Sequence, residues 1–250
     1  ARQDWSGAEQ AYADGLKISQ QLVQAHPDVP DYQRDLCASL QRLGQVCSAR
    51  KDWEGASAAY QRLVEVAGNL AAAHPDVPDF QRNVSVAWNA VGDVRSARQD
   101  WSGAEQAYAD GLKISQQLVQ AHPDVPDYQR DLSVSWERMA GCAEQRGEAA
   151  EALRCWREAA GIMERLVAAI PGVPMLEETF ILQNLRLAGA ALKAGEAEVA
   201  AQAVVAGLQR GMALHEMLKG AGLELSEKQK GLLGALFGLA REMGLVKEPS

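Results

Sequence analysis

The sequence predicts an all-α array of stacked helix hairpins, and three observations carry that reading. The six letters HPDVPD occur at 26–31, 74–79 and 122–127, one phrase every 48 residues. Between the phrases, apolar residues recur at helical spacing in two successive runs per period. Segments 1–36 and 97–132 are letter-for-letter identical, so duplication has copied blocks of two units. A fixed period of this size means one supersecondary unit repeated, each copy burying its apolar face against the next instead of enlarging a single core.

Taken in order, residues 1–30 read as the second half of a unit. Full units follow at 31–78, 79–126 and 127–174, a divergent one at 175–225, and a terminal capping helix and tail at 226–250. Within 79–126, Val84, Trp88, Val91 and Val94 form a first apolar series. Arg98-Gln99-Asp100 interrupts it, and Trp101, Ala104, Tyr108, Leu112, Ile114 and Leu118 form a second. That pattern is helix, short turn, helix. The prolines of HPDVPD stop a helix from continuing and disfavour the α conformation just before them. Asp31, Asp79 and Asp127 then place a carboxylate in the next first turn, against the positive helix end. At the far end, Ser226-Glu-Lys-Gln229 has the form of a capping box. Leu232, Leu233, Leu236, Phe237, Leu239, Ala240 and Met243 lay down one apolar face before Gly244. No such cap precedes residue 1, where a lone second helix is expected to expose the face its partner would bury. The chain also opens without Met in mid-unit, so it is expected to be a piece of a longer protein.

Trp88-x-x-Val91-Gly92, then Trp101, then Ala104-x-x-x-Tyr108 and a later Pro resemble the tetratricopeptide (TPR) signature, W-x₂-L-G-x₂-Y, A-x₃-F and P. The first unit supplies Leu40, Leu43, Gly44, Trp53, Ala56 and Tyr60, and the third Trp136, Met139, Ala140, Ala152 and Trp156. The departure is length, about 34 residues in the family against a period of 48 here. Seven residues added to each helix, close to two turns, keep the apolar seams aligned. Asp131-Leu132-Ser133-Val134-Ser135 echoes bacterial proteins with such stretched repeats, and the HPDV loop resembles kinesin-light-chain-type repeats. The resemblance implies a right-handed α-solenoid with a concave face and a C-terminal capping helix.

Composition narrows the function classes. A formal charge of −8 repels a phosphate backbone, so nucleic acid is not the expected partner. No apolar run approaches the roughly 20 residues of a membrane span. Cys37, Cys47, Cys142 and Cys155 form no C-x-x-C pair and share no position across units, so they read as small core residues of a reducing, cytoplasmic compartment. His26, His74 and His122 recur one unit apart, roughly 20 Å in a stack, too far for a shared metal. His215 reads as a half-buried helix residue. No nucleophile elbow, metalloprotease motif or phosphate-cradling glycine loop is present, so neither catalysis nor a cofactor is expected. Trp53, Trp101, Tyr60, Tyr108 and Trp156 read as core bulk between helices. Trp5 is the exception, since its partner helix would lie before residue 1.

The resemblance also implies where a ligand would sit, on the first helix of each unit at steps of three and four. Those rows read Arg34, Ala38, Gln41, Gln45, Ser48, then Arg82, Val86, Asn89, Asp93, Ser96, then Arg130, Val134, Glu137, Gly141, Glu144. Ligand candidates are therefore Arg34, Gln41, Gln45, Arg82, Asn89, Asp93, Arg130, Glu137 and Glu144. Three arginines in register suit a peptide carboxylate or acidic side chains. The alternative is local pairing with Asp31, Asp79 and Asp127. The expected function is a non-catalytic scaffold binding a peptide or helical partner in the groove. Two rivals stand beside it: self-association through the uncapped N-terminal half-unit, and a sensor or regulatory arm of an attached enzymatic domain.

Overall fold

The computed structural model describes residues 5–246, without the side chains at 5, 6, 8, 9 and 12, so the expectation for Trp5 lies outside the described residues. Those residues form ten helices and no strand: α1 Trp5–Ala25, α2 Pro30–Ala49, α3 Trp53–Ala73, α4 Pro78–Ala97, α5 Trp101–Ala121, α6 Pro126–Arg146, α7 Ala149–Ala169, α8 Pro174–Lys193, α9 Ala197–Gly220 and α10 Glu227–Glu242. First helices start at 30, 78, 126 and 174 and second helices at 53, 101, 149 and 197, so both series keep the 48-residue step.

The loop phrase explains the starts. Val29, Val77, Val125 and Val173 are extended, as a following proline demands, and each proline then takes the first helical position, where a missing N–H costs nothing. The His26 and His74 carbonyls accept from the Val29 and Val77 amides at 3.3 and 3.1 Å, closing turns with Pro in second place. The imidazoles pack as well: His26 lies 5.8 Å from the Tyr32 ring and His74 5.7 Å from Phe80. Inside each hairpin the reversal rests on one left-handed residue, Lys51, Gln99, Gly147 or Gly195, with φ of 61°, 63°, 76° and 79°. Asp52 and Asp100 then cap the second helices, accepting from the Gly55 and Gly103 amides at 3.0 and 2.9 Å.

The chain divides into two compact units, Ala1–Pro123 and Asp124–Ser250. In the first, each of α1 to α5 packs on its neighbours in sequence. Leu36, Leu40, Leu63, Val84 and Val91 are among the residues of its core. Gly44 and Gly92 are buried, and a Cβ at either would overlap the ring of Tyr60 or Tyr108. The absent side chain is what lets the aromatic lie flat between the two helices of a hairpin. Ser85 Oγ donates to the Gly111 carbonyl across the α4–α5 seam at 2.9 Å.

The second unit repeats this arrangement with other residues. Ala140, fully buried, stands where Gly44 and Gly92 stood, and Trp156 replaces the tyrosine. Ser133 Oγ donates to the Ala159 carbonyl at 3.1 Å, the same bond one period later. Glu177, nearly buried, is held by Arg210 at 2.7 Å, and Arg210 also donates to the Val167 carbonyl at 2.7 Å. On α10 both capping-box bonds are present: Gln229 N–H to Ser226 Oγ at 3.2 Å and Ser226 N–H to Gln229 Oε1 at 2.9 Å. Leu233 and Leu236 sit in notches left by Gly211 and Gly207 of α9.

Two expectations change. The apolar arc of α10 is wider than its seat, so Leu236 and Ala240 are buried while Phe237 stays 40% exposed. His215 is exposed, not half-buried, because the inward side of α9 runs through Leu214 and Leu218. The four cysteines are free thiols in the interior. Burial pushes Cys37 up to about 11, and burial joined by the Glu151 carboxylate pushes Cys155 up to about 12.

Opposite outcomes are expected at two helical glycines. Gly92→Ala gains about 1 kcal/mol of helix propensity but overpacks the Tyr108 ring at a cost of about 1–3 kcal/mol, for a net loss of about 1 kcal/mol. Gly141 has open space around it, so Gly141→Ala raises stability by up to about 1 kcal/mol. Urea midpoints moving in opposite directions check the pair. At the hairpin reversals, Lys51→Gly and Gln99→Gly remove left-handed strain from an ordinary side chain. Each is expected to stabilise by about 0.5–1 kcal/mol, read as a rise in melting temperature.

Candidate functional site

The nine ligand candidates do not form one uniform face. In the first unit Arg34 pairs with Asp31 at 3.1 Å on the same helix. Gln41 is half-buried and Gln45 exposed on α2; Arg82 is half-buried on α4. Asn89 is buried, which removes it from an open row. The reason is Gly111: with no side chain there, α5 approaches α4 so closely that an added Cβ would stand 3.2 Å from Asn89 Oδ1. Asp93 stays exposed and accepts from the Tyr108 hydroxyl at 3.0 Å.

In the second unit Arg130 lies 3.4 Å from Asp127 and 3.7 Å from Asp131. Glu137 accepts from Gln183 Nε2 at 3.3 Å, and Glu144 from the Trp156 indole N–H at 3.0 Å. Local pairing therefore engages Arg34 and Arg130, and the acidic row residues are tied to neighbouring helices. A rule emerges that sequence reasoning missed. The polar tip of each interhelical aromatic bonds to a polar residue near the end of the first helix: Tyr60 to Ser48, Tyr108 to Asp93, Trp156 to Glu144. The signal was present as a polar residue 12 or 15 positions before each aromatic, but its meaning needs the hairpin closed.

One open space in the first unit is a cleft of about 310 Å³ between the ends of α2 and α4 and the start of α3. Gln45, Ser48, Trp53, Tyr60 and Asp93 line it. Two of these, Gln45 and Asp93, are ligand candidates brought together from different units of the sequence; Trp53 and Tyr60 were expected as core alone. Tyr60 is buried and Trp53 half-buried at the rim. Burial pushes the Tyr60 phenol up; the Ser48 hydrogen bond opposes this, and the Asp93 carboxylate adds to it. Among the described residues no group of three or more His, Cys, Asp or Glu side chains could hold a metal ion. No helix among them is long and apolar enough to cross a membrane.

No protein-family model matches the sequence, and no curated protein is significantly similar to it. Solved structures do match. BtubC (BKLC) from P. vanneervenii aligns with a TM-score of 0.63 at 13% identity, over 99% of this chain and 95% of that one. The apo form of RapI aligns with a TM-score of 0.63 at 12% identity over 96% of this chain, which spans 60% of RapI. A thermophilic TPR protein of Thermus thermophilus aligns at 0.44 with 14% identity, over 90% and 91% of the two chains. At these identities the two alignments at 0.63 show the fold alone, an all-α helical-repeat solenoid, which agrees with the resemblance of the sequence to the TPR signature.

The hydrogen-bonding rule separates two kinds of row residue. Tyr108→Phe removes the bond to Asp93 and is expected to cost about 1 kcal/mol. Arg34→Ala breaks only an exposed ion pair and is expected to cost less than about 0.5 kcal/mol. Thermal unfolding of the two variants side by side checks the contrast.

Proposed function

We propose that this TPR-like array is a non-catalytic protein–protein interaction scaffold that holds a peptide or a helical segment of a partner on the face formed by its first helices. The observation that supports this reading is the α2–α4 cleft. It brings Gln45 and Asp93, the latter an acceptor for the Tyr108 hydroxyl, beside Trp53 and Tyr60 on one concave surface. A concave site with a few placed polar groups among aromatics is the usual form of a binding site. A charge of −8 favours a protein partner over nucleic acid. Four buried free thiols suit a reducing, cytoplasmic setting.

Selection of a random-peptide display library on the whole chain tests the proposal. Enriched peptides are expected to slow amide hydrogen exchange in α2 and α4; no enrichment, or protection confined to α9 and α10, overturns it. Self-association is a second reading, favoured by one comparison. Ile18 on α1 is 58% exposed, whereas Ile114, at the same place in the identical helix α5, packs against the core. Sedimentation across a hundredfold concentration range separates the two. A monomer throughout removes the second reading, and association abolished by Ile18→Lys supports it.

A further inference from the structure

Another pocket of the first unit, about 190 Å³, lies where the loop before α4 meets the end of α5. Pro75, Pro78, Ile114, Leu118 and Ala121 supply its apolar lining, and Gln81, Gln117 and His122 complete it without an aspartate, glutamate, lysine or arginine. The two proline rings make a stiff rim with little freedom to lose on binding. The array itself shows what fits such a place. Two 48-residue periods later, Pro171, Pro174 and Met217 stand where Pro75, Pro78 and Ala121 stand. The Met217 sulfur lies against that loop, 3.5 Å from where a Cβ on Gly172 would be, and Met217 is 38% exposed against 58% for Met212 on the same helix. In the first unit Ala121 ends at its Cβ, and the corresponding space is open. Asp76, the counterpart of Gly172, does not line it. Gln81 and Ile114 are Glu177 and Arg210 in the later copy, an ion pair at 2.7 Å, so the uncharged lining belongs to the first unit.

We propose that this pocket receives the side chain of a methionine from a partner peptide, seated against Pro75 and Pro78 as Met217 is seated against its own loop. The inference rests on the scaffold reading and names one anchor of its ligand. A thioether chain is unbranched and polarizable, so it enters a narrow apolar space into which a β-branched residue does not follow. With no carboxylate, lysine or arginine in the lining, an acidic side chain loses its water and gains no ionic partner.

Blocked pentapeptides with methionine, norleucine, valine, methionine sulfoxide or aspartate at the centre of four glycines are the probes. The readout is the Ile114 δ1 methyl resonance in carbon–proton correlation spectra of the whole chain, assigned by its loss in Ile114→Val. Methionine and norleucine peptides are expected to shift it with millimolar affinity, and aspartate not at all. Valine binds about fivefold more weakly, and the sulfoxide about tenfold, because its oxygen must be desolvated. Raising the salt to about 0.5 M leaves these affinities unchanged, since no ion pair is involved. Ala121→Met, at an exposed position in the last turn of α5, fills the pocket from within and is expected to weaken methionine binding about fivefold or more without lowering the melting temperature. Gln117→Phe, also exposed and one turn earlier, covers the same space and keeps the test decisive if Ala121→Met fails to fold. Equal binding of methionine and its sulfoxide, indifference to both substitutions, or no shift with any peptide overturns the inference. An Ile114 resonance that moves with protein concentration alone makes a second copy the occupant and overturns it too. The library selection separates this failure from failure of the scaffold reading. Peptides enriched without excess methionine overturn the pocket assignment and leave the scaffold standing; no enrichment at all overturns both.

Discussion

The structure depends on the close approach of two helices within each hairpin. Gly44 and Gly92 leave no side chain beneath Tyr60 and Tyr108, so each ring fills the space between its helices instead of prising them apart. Protein interiors tolerate neither a void nor an extra methyl at such a point. Once that distance is set, the serine bonds to facing carbonyls fall within reach, and the aromatic's polar tip meets the end of the first helix. In the second unit Ala140 under Trp156 reaches the same packing with a different pair of volumes. What is preserved is the summed shape and not the letters.

The loop phrase serves the same end from outside. Proline sets where a helix can begin, the preceding valine is held extended, and aspartate meets the positive helix end. The histidine belongs to this mechanism, since His26 and His74 pack on the aromatic that opens the next helix and thereby orient one hairpin on the next within the first unit. Its recurrence is structural, and it does not call for metal chemistry.

Function is confined by what the fold has already used. Asp93, Glu137 and Glu144 lie on the rows where a ligand was expected, and each accepts a hydrogen bond from its own array. Asn89 has been taken inside altogether. The cleft at the ends of α2 and α4 nevertheless gathers side chains of three helices, Asp93 among them, around a common space. Such convergence is what a recognition site needs, and helices placed one period apart supply it without any special loop.

The sequence by itself determined the elements and their order. Proline, aspartate and the 3.6-residue spacing are local signals, each acting over a few neighbouring residues, so the helix pairs and the capping box at Ser226 and Gln229 were legible before any packing was known. The outward turn of His215 and Phe237 and the burial of Asn89 were not legible in this way. They depend on which part of a broad apolar or polar arc another helix covers, and on how near a glycine in that helix allows it to come. The site was legible only in part for the same reason. Gln45 and Asp93 could be named from their spacing, but Trp53 and Tyr60 join them only when α3 lies between α2 and α4. Distance in space between residues far apart in the chain is decided by tertiary packing alone.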